Sequence, residues 1–155
     1  MTATTIDTSA PPEVVHATLC DPDTYPEWLV GARHIRGVDD DWPSEGSAFH
    51  HTIGFGPLQI RDRTSVVRNR APHELVLHAH LGPLGSALVR ITVARNPDGG
   101  SHIAFEEEPA HGVMRVLWNP VTRPLVGVSL WGRNAVSLQS LRALTEARSQ
   151  VAPAP

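Results

Sequence analysis

The feature that most constrains this sequence is a long C-terminal segment that contains no proline after its first turn. Asn119 and Pro120 begin it as a helix N-cap and a proline at the first helical position, where a missing N–H costs nothing. Pro124 is close enough to this start to be tolerated, or it moves the first helical residue to about Thr122. Since no further proline occurs before Arg148, the segment predicts a helix about 40 Å long.

Most of the chain before this helix is typical of β-structure, because apolar and polar residues alternate in short runs separated by turn residues. The connections between the runs, such as Gly56-Pro57, are dense in glycine or proline, as tight turns require. Seven strands are predicted in all, at 2–8, 34–39, 47–55, 58–69, 74–81, 87–95 and 102–108.

Two short helices are predicted between the first two strands. Ser9 to Glu13 has the cap residue, early prolines and early acid of a helix start, and this helix runs to about Cys20. A second short helix carries Tyr25 and Trp28. A long helix and a run of antiparallel strands can bury their apolar surfaces together if the helix packs across one face of the sheet. We therefore predict an α+β fold with a seven-stranded antiparallel sheet wrapped around the terminal helix.

The length of 155 residues predicts one domain over residues 1–150, followed by a short tail at 151–155 that we expect to be mobile. A net charge of −3 without a basic block argues against nucleic-acid binding. Cys20 is the single cysteine, which excludes an internal disulfide and a cysteine-based zinc site. Neither a leader nor an 18-residue apolar run is present, so we expect a cytoplasmic protein without stable membrane insertion.

Strand alternation assigns the side chains of the sheet to an inner and an outer face. The inner face is apolar, and we predict that it lines an internal cavity through Phe49, Ile60, Leu77, Val89 and Phe105. Three ionisable residues interrupt it, and these are His51, Asp62 and Glu107. Thr64 is a further polar residue on this face.

His51 and Asp62 are candidate catalytic residues. If Gly56-Pro57 forms a two-residue loop, Phe55 pairs with Leu58 and His51 lies directly opposite Asp62. Because a lone buried carboxylate is costly, His51 would be its partner, and the pair could act as a general base or hydrogen-bond a ligand. Two alternatives stay open, a solvated pair at the mouth of the sheet and a one-residue register slip that turns both outward.

Glu107 and the terminal helix offer further candidate ligand-binding residues. Glu107 faces inward by alternation, or it is solvated at the end of its strand. Trp131, Asn134, Leu138 and Leu141 recur at helical spacing and predict a buried stripe. Core packing is the simpler interpretation of Trp131, whereas the polar Asn134 could hydrogen-bond a ligand or a buried water.

No metal and no cofactor are expected. His78 and His80 share one strand face, but no third ligand has clear spacing. The sequence also lacks a nucleophile elbow, a phosphate-binding loop and a dinucleotide-binding glycine pattern.

Several stretches together resemble a known superfamily over nearly the whole chain. They are Ala10 to Val15, Asp21 to Trp28, Gly46-Ser47, Gly99-Gly100, Glu107 and the end of the terminal helix at Leu138 to Leu141. With the order of strand, two helices, six strands and long helix, they resemble the helix-grip fold of the START-like superfamily. The most similar branch is the bacterial polyketide cyclase/dehydrase and lipid-transport group, often called SRPBCC. The resemblance places Tyr25 and Trp28 at the cavity mouth, where Trp28 could equally serve as a packing wedge.

This resemblance implies a protein that binds a hydrophobic small molecule, polyketide-, polycyclic- or lipid-like, between the sheet and the terminal helix. One alternative is a cofactor-independent cyclase, aromatase or dehydratase, in which His51 and Asp62 move protons while Asn134 or Tyr25 holds a carbonyl. A second alternative is a non-catalytic protein-interaction module, which predicts an occluded cavity and an exposed apolar patch. A homodimer stays open under each of these functions.

Overall fold

The structure, a computed structural model, describes residues 2–55, 57–117 and 119–151, so the predicted tail beyond residue 151 lies outside the described residues. The strands are β1 (Thr2–Thr8), β2 (Ala32–Val38), β3 (Ala48–Phe55), β4 (Leu58–Arg70), β5 (Glu74–His80), β6 (Ser86–Arg95) and β7 (Ser101–His111). The α-helices are α1 (Pro12–Leu19), α2 (Tyr25–Trp28), α3 (Val113–Leu117) and α4 (Arg123–Val151). Single 3₁₀ turns occupy Pro22–Thr24 and Gly82–Leu84.

The described strands form one antiparallel sheet in the order β1-β7-β6-β5-β4-β3-β2. Strands β2 to β7 follow one another as neighbours, whereas β1 pairs with β7 at the opposite edge from β2. Six interstrand spacings separate these edges, on the order of 29 Å for a flat sheet. The connection from β1 to β2 must cross this distance, and α1 packs on β5 and β6 while α2 packs on β2. The predicted helix-grip architecture is therefore confirmed.

Helix α4 packs against β1, α1 and α2. It begins one residue after Thr122, the later of the two predicted starts. The side-chain oxygen of Asn119 accepts hydrogen bonds from the backbone N–H groups of Val121 and Thr122, at 2.9 and 3.1 Å. Asn119 thus caps the turn that leads into α4, and the short helix α3 before it was not predicted.

The predicted strand register between β3 and β4 is confirmed. Phe55 pairs with Leu58, and His51 lies directly opposite Asp62. The largest difference in strand bounds is at β7, which continues to His111 through Pro109. Proline lacks a backbone donor, and Pro109 pairs with β6 next to a shift in the strand register, where this lack is tolerated.

The inner face of the sheet has two regions, one packed in the hydrophobic core and one that lines a cavity. Leu75, Val93 and Ile103 are buried in the core on the neighbouring strands β5, β6 and β7, and Val93 lies directly opposite Ile103. The inner residues that follow on each strand, away from these three, line a cavity instead. The same alternation therefore builds the core and the walls of the candidate site.

Candidate functional site

A cavity of about 330 Å³ lies over the inner face of the sheet. Apolar side chains from β3 to β7 supply most of its walls. From the sheet these lining residues are Phe49, His51, Ile53, Ile60, Thr64, Leu77, Ala79, Val89, Ile91, Phe105 and Glu107. The other walls come from α2 with the segment after it, from the Gly82–Leu84 turn and from Arg133 on α4. Val30 and Leu84 line the cavity and are also exposed, so the cavity opens to solvent near these residues.

Tyr25 and Trp28 line the cavity, but each is only 2% exposed, so they lie in its inner wall and not at the mouth that the resemblance implies. The Tyr25 hydroxyl donates to the carbonyl oxygen of Leu19 at 2.7 Å, and burial raises the pKa of this phenol. The indole N–H of Trp28 donates to the hydroxyl of Thr24 at 3.3 Å. Tyr25 also packs against Phe49, with ring centroids 4.9 Å apart. These aromatic residues therefore provide shape and apolar contact, while their polar groups hold the protein together.

His51 is the most informative polar residue of the cavity. It is only 5% exposed, and its Nε2 lies 2.8 Å from the hydroxyl oxygen of Thr64. Its Nδ1 is also buried and has no hydrogen-bond partner among the described residues. Burial lowers the pKa of His51 to about 4, and the negative charge of Asp62 offsets this only in part. At neutral pH the imidazole is therefore uncharged, with one ring nitrogen buried and unpaired among the described residues.

Asp62 occupies the predicted register position but does not pair with His51. One carboxylate oxygen accepts the backbone N–H of Arg63 at 2.8 Å, and the other accepts the backbone N–H of Gly82. His51 reaches Thr64 instead, which is the diagonal neighbour on the same face of the sheet. Among the described residues Asp62 does not line the cavity, and its carboxylate fixes the turn that carries Leu84.

Glu107 is directed inward and forms an ion pair that was not predicted. It is 6% exposed, and its Oε2 accepts hydrogen bonds from Arg133 and, at 3.3 Å, from the side-chain amide of Asn134. The same guanidinium nitrogen of Arg133 donates to the Asn134 side-chain oxygen at 3.1 Å. Both Glu107 and Arg133 line the cavity, so the part of its wall that they form carries two opposite charges. The rule that a buried carboxylate needs a cationic partner, applied to Glu107, could have identified Arg133.

The α4 residues differ from their predicted places. Trp131 is 54% exposed and does not line the cavity in the described part of the chain, which contradicts both its predicted core packing and its predicted ligand contact. Asn134 is fully buried, but its amide is directed to Glu107 rather than to the cavity. The buried face of α4 contains Ser137 and Thr145, so the inward stripe includes small polar residues that apolar spacing does not detect.

Within residues 2–55, 57–117 and 119–151, no three histidine, cysteine or acidic side chains are grouped as metal ligands would be. His78 and His80 do lie together, with ring centroids 4.4 Å apart. None of the helices in these ranges combines the length and the apolar character that crossing a membrane requires.

Among known proteins, solved structures share the architecture of this chain. No protein-family profile matches the chain, and no curated protein matches its sequence. Among solved structures, the chain is similar to SA2116 from Staphylococcus aureus, a protein of unknown function, with a TM-score of 0.70, 9% identity and coverage of 96% of this chain and 95% of that one. It is also similar to the di-domain aromatase/cyclase StfQ from the steffimycin biosynthetic pathway, with a TM-score of 0.69 and 12% identity over 96% of this chain and 51% of StfQ. For the di-domain aromatase/cyclase BexL from the BE-7585A pathway the TM-score is 0.69 and the identity 13%, over 97% of this chain and 50% of BexL.

The chain has a helix-grip fold, which it shares with the di-domain aromatase/cyclases StfQ and BexL. At these identities the likeness establishes the fold alone, so the function of this helix-grip chain has to be argued from its own cavity. That cavity brings together ten of the thirteen predicted site residues, namely Tyr25, Trp28, Phe49, His51, Ile60, Thr64, Leu77, Val89, Phe105 and Glu107. Asp62, Trp131 and Asn134 are not among its lining residues in the described ranges.

Proposed function

We propose that this helix-grip protein binds a compact hydrophobic small molecule, polycyclic or lipid-like, in the cavity between the sheet and α4. The observation that supports this most directly is the lining, which is mostly apolar and in which four side chains carry polar groups besides Tyr25 and Trp28, whose polar groups bond to the protein. Those residues are His51, Thr64, Glu107 and Arg133. A concave, mostly apolar site with a few placed polar groups is typical of small-molecule binding sites.

The size of the cavity favours a compact ligand. A volume of about 330 Å³ is near the lower end of the range for small-molecule sites, on the order of 300–1,000 Å³. It corresponds to roughly ten water molecules at their liquid volume. A molecule of two or three rings fits this space better than an extended lipid chain.

Dye binding tests this proposal with a matched pair of variants. An environment-sensitive apolar dye should bind the purified chain and be displaced by polycyclic competitors. Val89→Trp should weaken dye binding, because the added ring fills the cavity, whereas Leu88→Trp on the outer face of the same strand should not. Equal dye affinity in both variants would contradict the proposal, and native mass spectrometry of fresh protein would identify any molecule that co-purifies.

A second candidate function is a cofactor-independent cyclase, aromatase or dehydratase. The observation in its favour is a histidine, His51, in the cavity wall, together with the fold likeness to the aromatase/cyclases StfQ and BexL. A general base works best when its pKa lies near the working pH, and the pKa of His51 at about 4 makes it a weak base at pH 7. Binding is therefore the better supported role, and turnover of a poly-ketone substrate that His51→Phe abolishes would favour the enzyme.

The interaction-module function receives less support. It requires an occluded cavity, whereas here Val30 and Leu84 border an opening. Exposed apolar side chains do occur at Val116, Val121 and Trp131, but nothing in the described residues indicates a protein partner for them.

A further inference from the structure

We propose that the end of the molecule around the cavity opening docks on the surface of an anionic lipid bilayer. Three segments form this end, namely residues 29–31 after α2, the turn 81–85 between β5 and β6, and residues 112–117 with α3, and together they are the mouth face. Docking on a surface is distinct from spanning a membrane. It goes beyond the proposed function, because it names a partner for the outside of the protein rather than a ligand for its cavity.

The three segments of the mouth face are neighbours at one end of the molecule. The first two segments line the cavity, and they include the exposed Val30 and Leu84. Helix α3 packs on the Gly82–Leu84 turn. The backbones meet so closely there that a Cβ atom on Gly112 would lie 2.5 Å from the Cα atom of Gly85. The cavity therefore opens through the mouth face.

Apolar side chains are exposed on each segment of the mouth face. Val30 and Leu84 are exposed beside the opening, and Val113 and Val116 are exposed on α3, where Val116 reaches 73%. Single apolar residues scattered over a surface are normal. A group of them around the entrance of an apolar cavity is a patch of the kind that marks a contact with an apolar phase or partner.

Charge is distributed unevenly between the two ends of the sheet. The mouth face contains Arg115 and no acidic residue. At the opposite end, residues 39–47 between β2 and β3 contain four acidic residues and no basic one, and residues 96–100 between β6 and β7 contain a fifth. A chain of net charge −3 thus keeps negative charge off the mouth face, which suits this end to an anionic surface.

The border of the mouth face has the same sign of charge. Its two acidic residues are Glu27 on α2, which is exposed, and Asp62 on β4, whose carboxylate oxygens accept backbone N–H groups. Exposed arginines on the adjoining strands β2 and β4 outnumber these acids, and they are Arg33, Arg36, Arg61 and Arg63. Each basic residue held near an anionic bilayer raises the affinity about fivefold, so this border adds to the attraction.

Apolar exposure and positive charge together favour a bilayer over two other occupants. A second copy of this chain, docked symmetrically, would bring the same positive face against itself, and like charges oppose such an interface. An acidic protein would pair with the arginines but supplies no apolar phase. A bilayer supplies both, since interfacial binding grows with buried apolar area and with attraction to anionic lipids. It would also face the cavity opening, so that a hydrophobic ligand passes between bilayer and cavity without crossing water.

Co-sedimentation of the full chain with vesicles tests the docking. Binding is expected to phosphatidylcholine vesicles that contain about 30% phosphatidylglycerol, and it should be at least about tenfold weaker to vesicles of phosphatidylcholine alone. Raising the salt concentration from about 0.1 M to about 0.5 M should weaken binding to the mixed vesicles, because salt screens the arginines. Equal binding to both kinds of vesicle, or binding to neither, would overturn the proposal.

Two matched pairs of variants locate the contact. Val116→Asp should weaken binding to the mixed vesicles at least about tenfold, whereas Val38→Asp should not, because Val38 is a valine 41% exposed at the far end of β2. Arg115→Gln should weaken binding about fivefold, whereas Arg70→Gln changes an exposed residue at the far end of β4 and should leave binding unchanged. Equal losses within each pair would contradict docking through the mouth face, and the arginine pair decides if Val116→Asp does not fold.

The outcomes separate this proposal from the proposed function. Val116 is not a lining residue of the cavity in the described ranges, so Val116→Asp should keep the dye affinity that the unaltered chain has without vesicles. Loss of vesicle binding at unchanged dye affinity supports docking. Dye binding without vesicle binding would overturn docking and leave the proposed function standing. A dimer of the unaltered chain that Val116→Asp dissociates would assign the mouth face to a second copy and overturn docking as well.

Discussion

The neutral state of the buried His51 should make the stability of the protein depend on pH. Its pKa is lowered from an ordinary value of 6.5 to about 4, because burial penalises the imidazolium. The unfolded chain therefore binds this proton at a higher pH than the folded chain does. Stability contributed by the neutral ring is present above about pH 6.5 and is lost as pH falls from there towards 4.

The magnitude follows from the size of the shift. One pKa unit corresponds to about 1.4 kcal/mol, so a shift from 6.5 to about 4 removes on the order of 3 kcal/mol once pH is below both values. Between pH 7 and pH 5 the loss is about 2 kcal/mol. His51→Phe should lose about this much of the pH dependence, because the variant has nothing to protonate at this position.

Urea denaturation at pH 7 and pH 5 measures this effect as a difference in the free energy of unfolding. His34→Phe is the matched control, since His34 is exposed on the neighbouring strand β2 and forms no ion pair within the described residues. Equal pH dependence in the native protein and in His51→Phe would show that the ring is not held neutral. An NMR titration adds a direct measurement, and Asp62→Asn should lower the pKa of His51 further, because the Asp62 charge raises it.

Three further perturbations test the packing and the ion pairs around the cavity. Leu141→Ala should lower the free energy of unfolding by roughly 2–5 kcal/mol in urea denaturation, because Leu141 is fully buried, and it should leave dye binding intact because Leu141 does not line the cavity. Arg133→Met should cost about 3 kcal/mol by leaving Glu107 buried without its cation, and the double variant Arg133→Met with Glu107→Leu should recover most of this loss. Asp62→Ala should cost about 1 kcal/mol and speed amide exchange at Gly82, whereas unchanged exchange there would contradict the role of Asp62 in fixing the turn.

Alternation within the strands could be predicted from the sequence because it is a rigid geometric rule. Once turn residues define the ends of a strand, its side chains alternate between two faces, and the face that carries the apolar residues is the inner one. For this reason Phe49, Ile60, Leu77, Val89 and Phe105 all line the cavity as predicted. Residues of the irregular segment after α2, which form part of the mouth, follow no such period and were not predicted.

The rotation of α4 was harder to predict, because a helix offers many faces and its buried side need not be apolar. Asn134, Ser137 and Thr145 are fully buried, so the true inward stripe is partly polar. A search for apolar spacing alone adds Trp131 at the edge of this stripe, although the structure leaves it half-exposed. Arg133 escaped notice for a related reason, since a long cationic side chain reaches Glu107 from the flank of the helix.

Asp62 shows that a correctly predicted strand register does not by itself determine which side chains bond to one another. From β3, the directly opposite residue and the diagonal one are both within reach of an imidazole. The choice depends on a group that the strand pattern does not contain, namely the backbone N–H of Gly82, which engages the Asp62 carboxylate from the turn after β5. With Asp62 engaged there, His51 bonds to Thr64, the charge of Asp62 offsets the effect of burial on the pKa of His51 only in part, and the ring remains neutral in an apolar cavity. A contact between residues twenty positions apart therefore decides that Asp62 bonds to the turn rather than to His51.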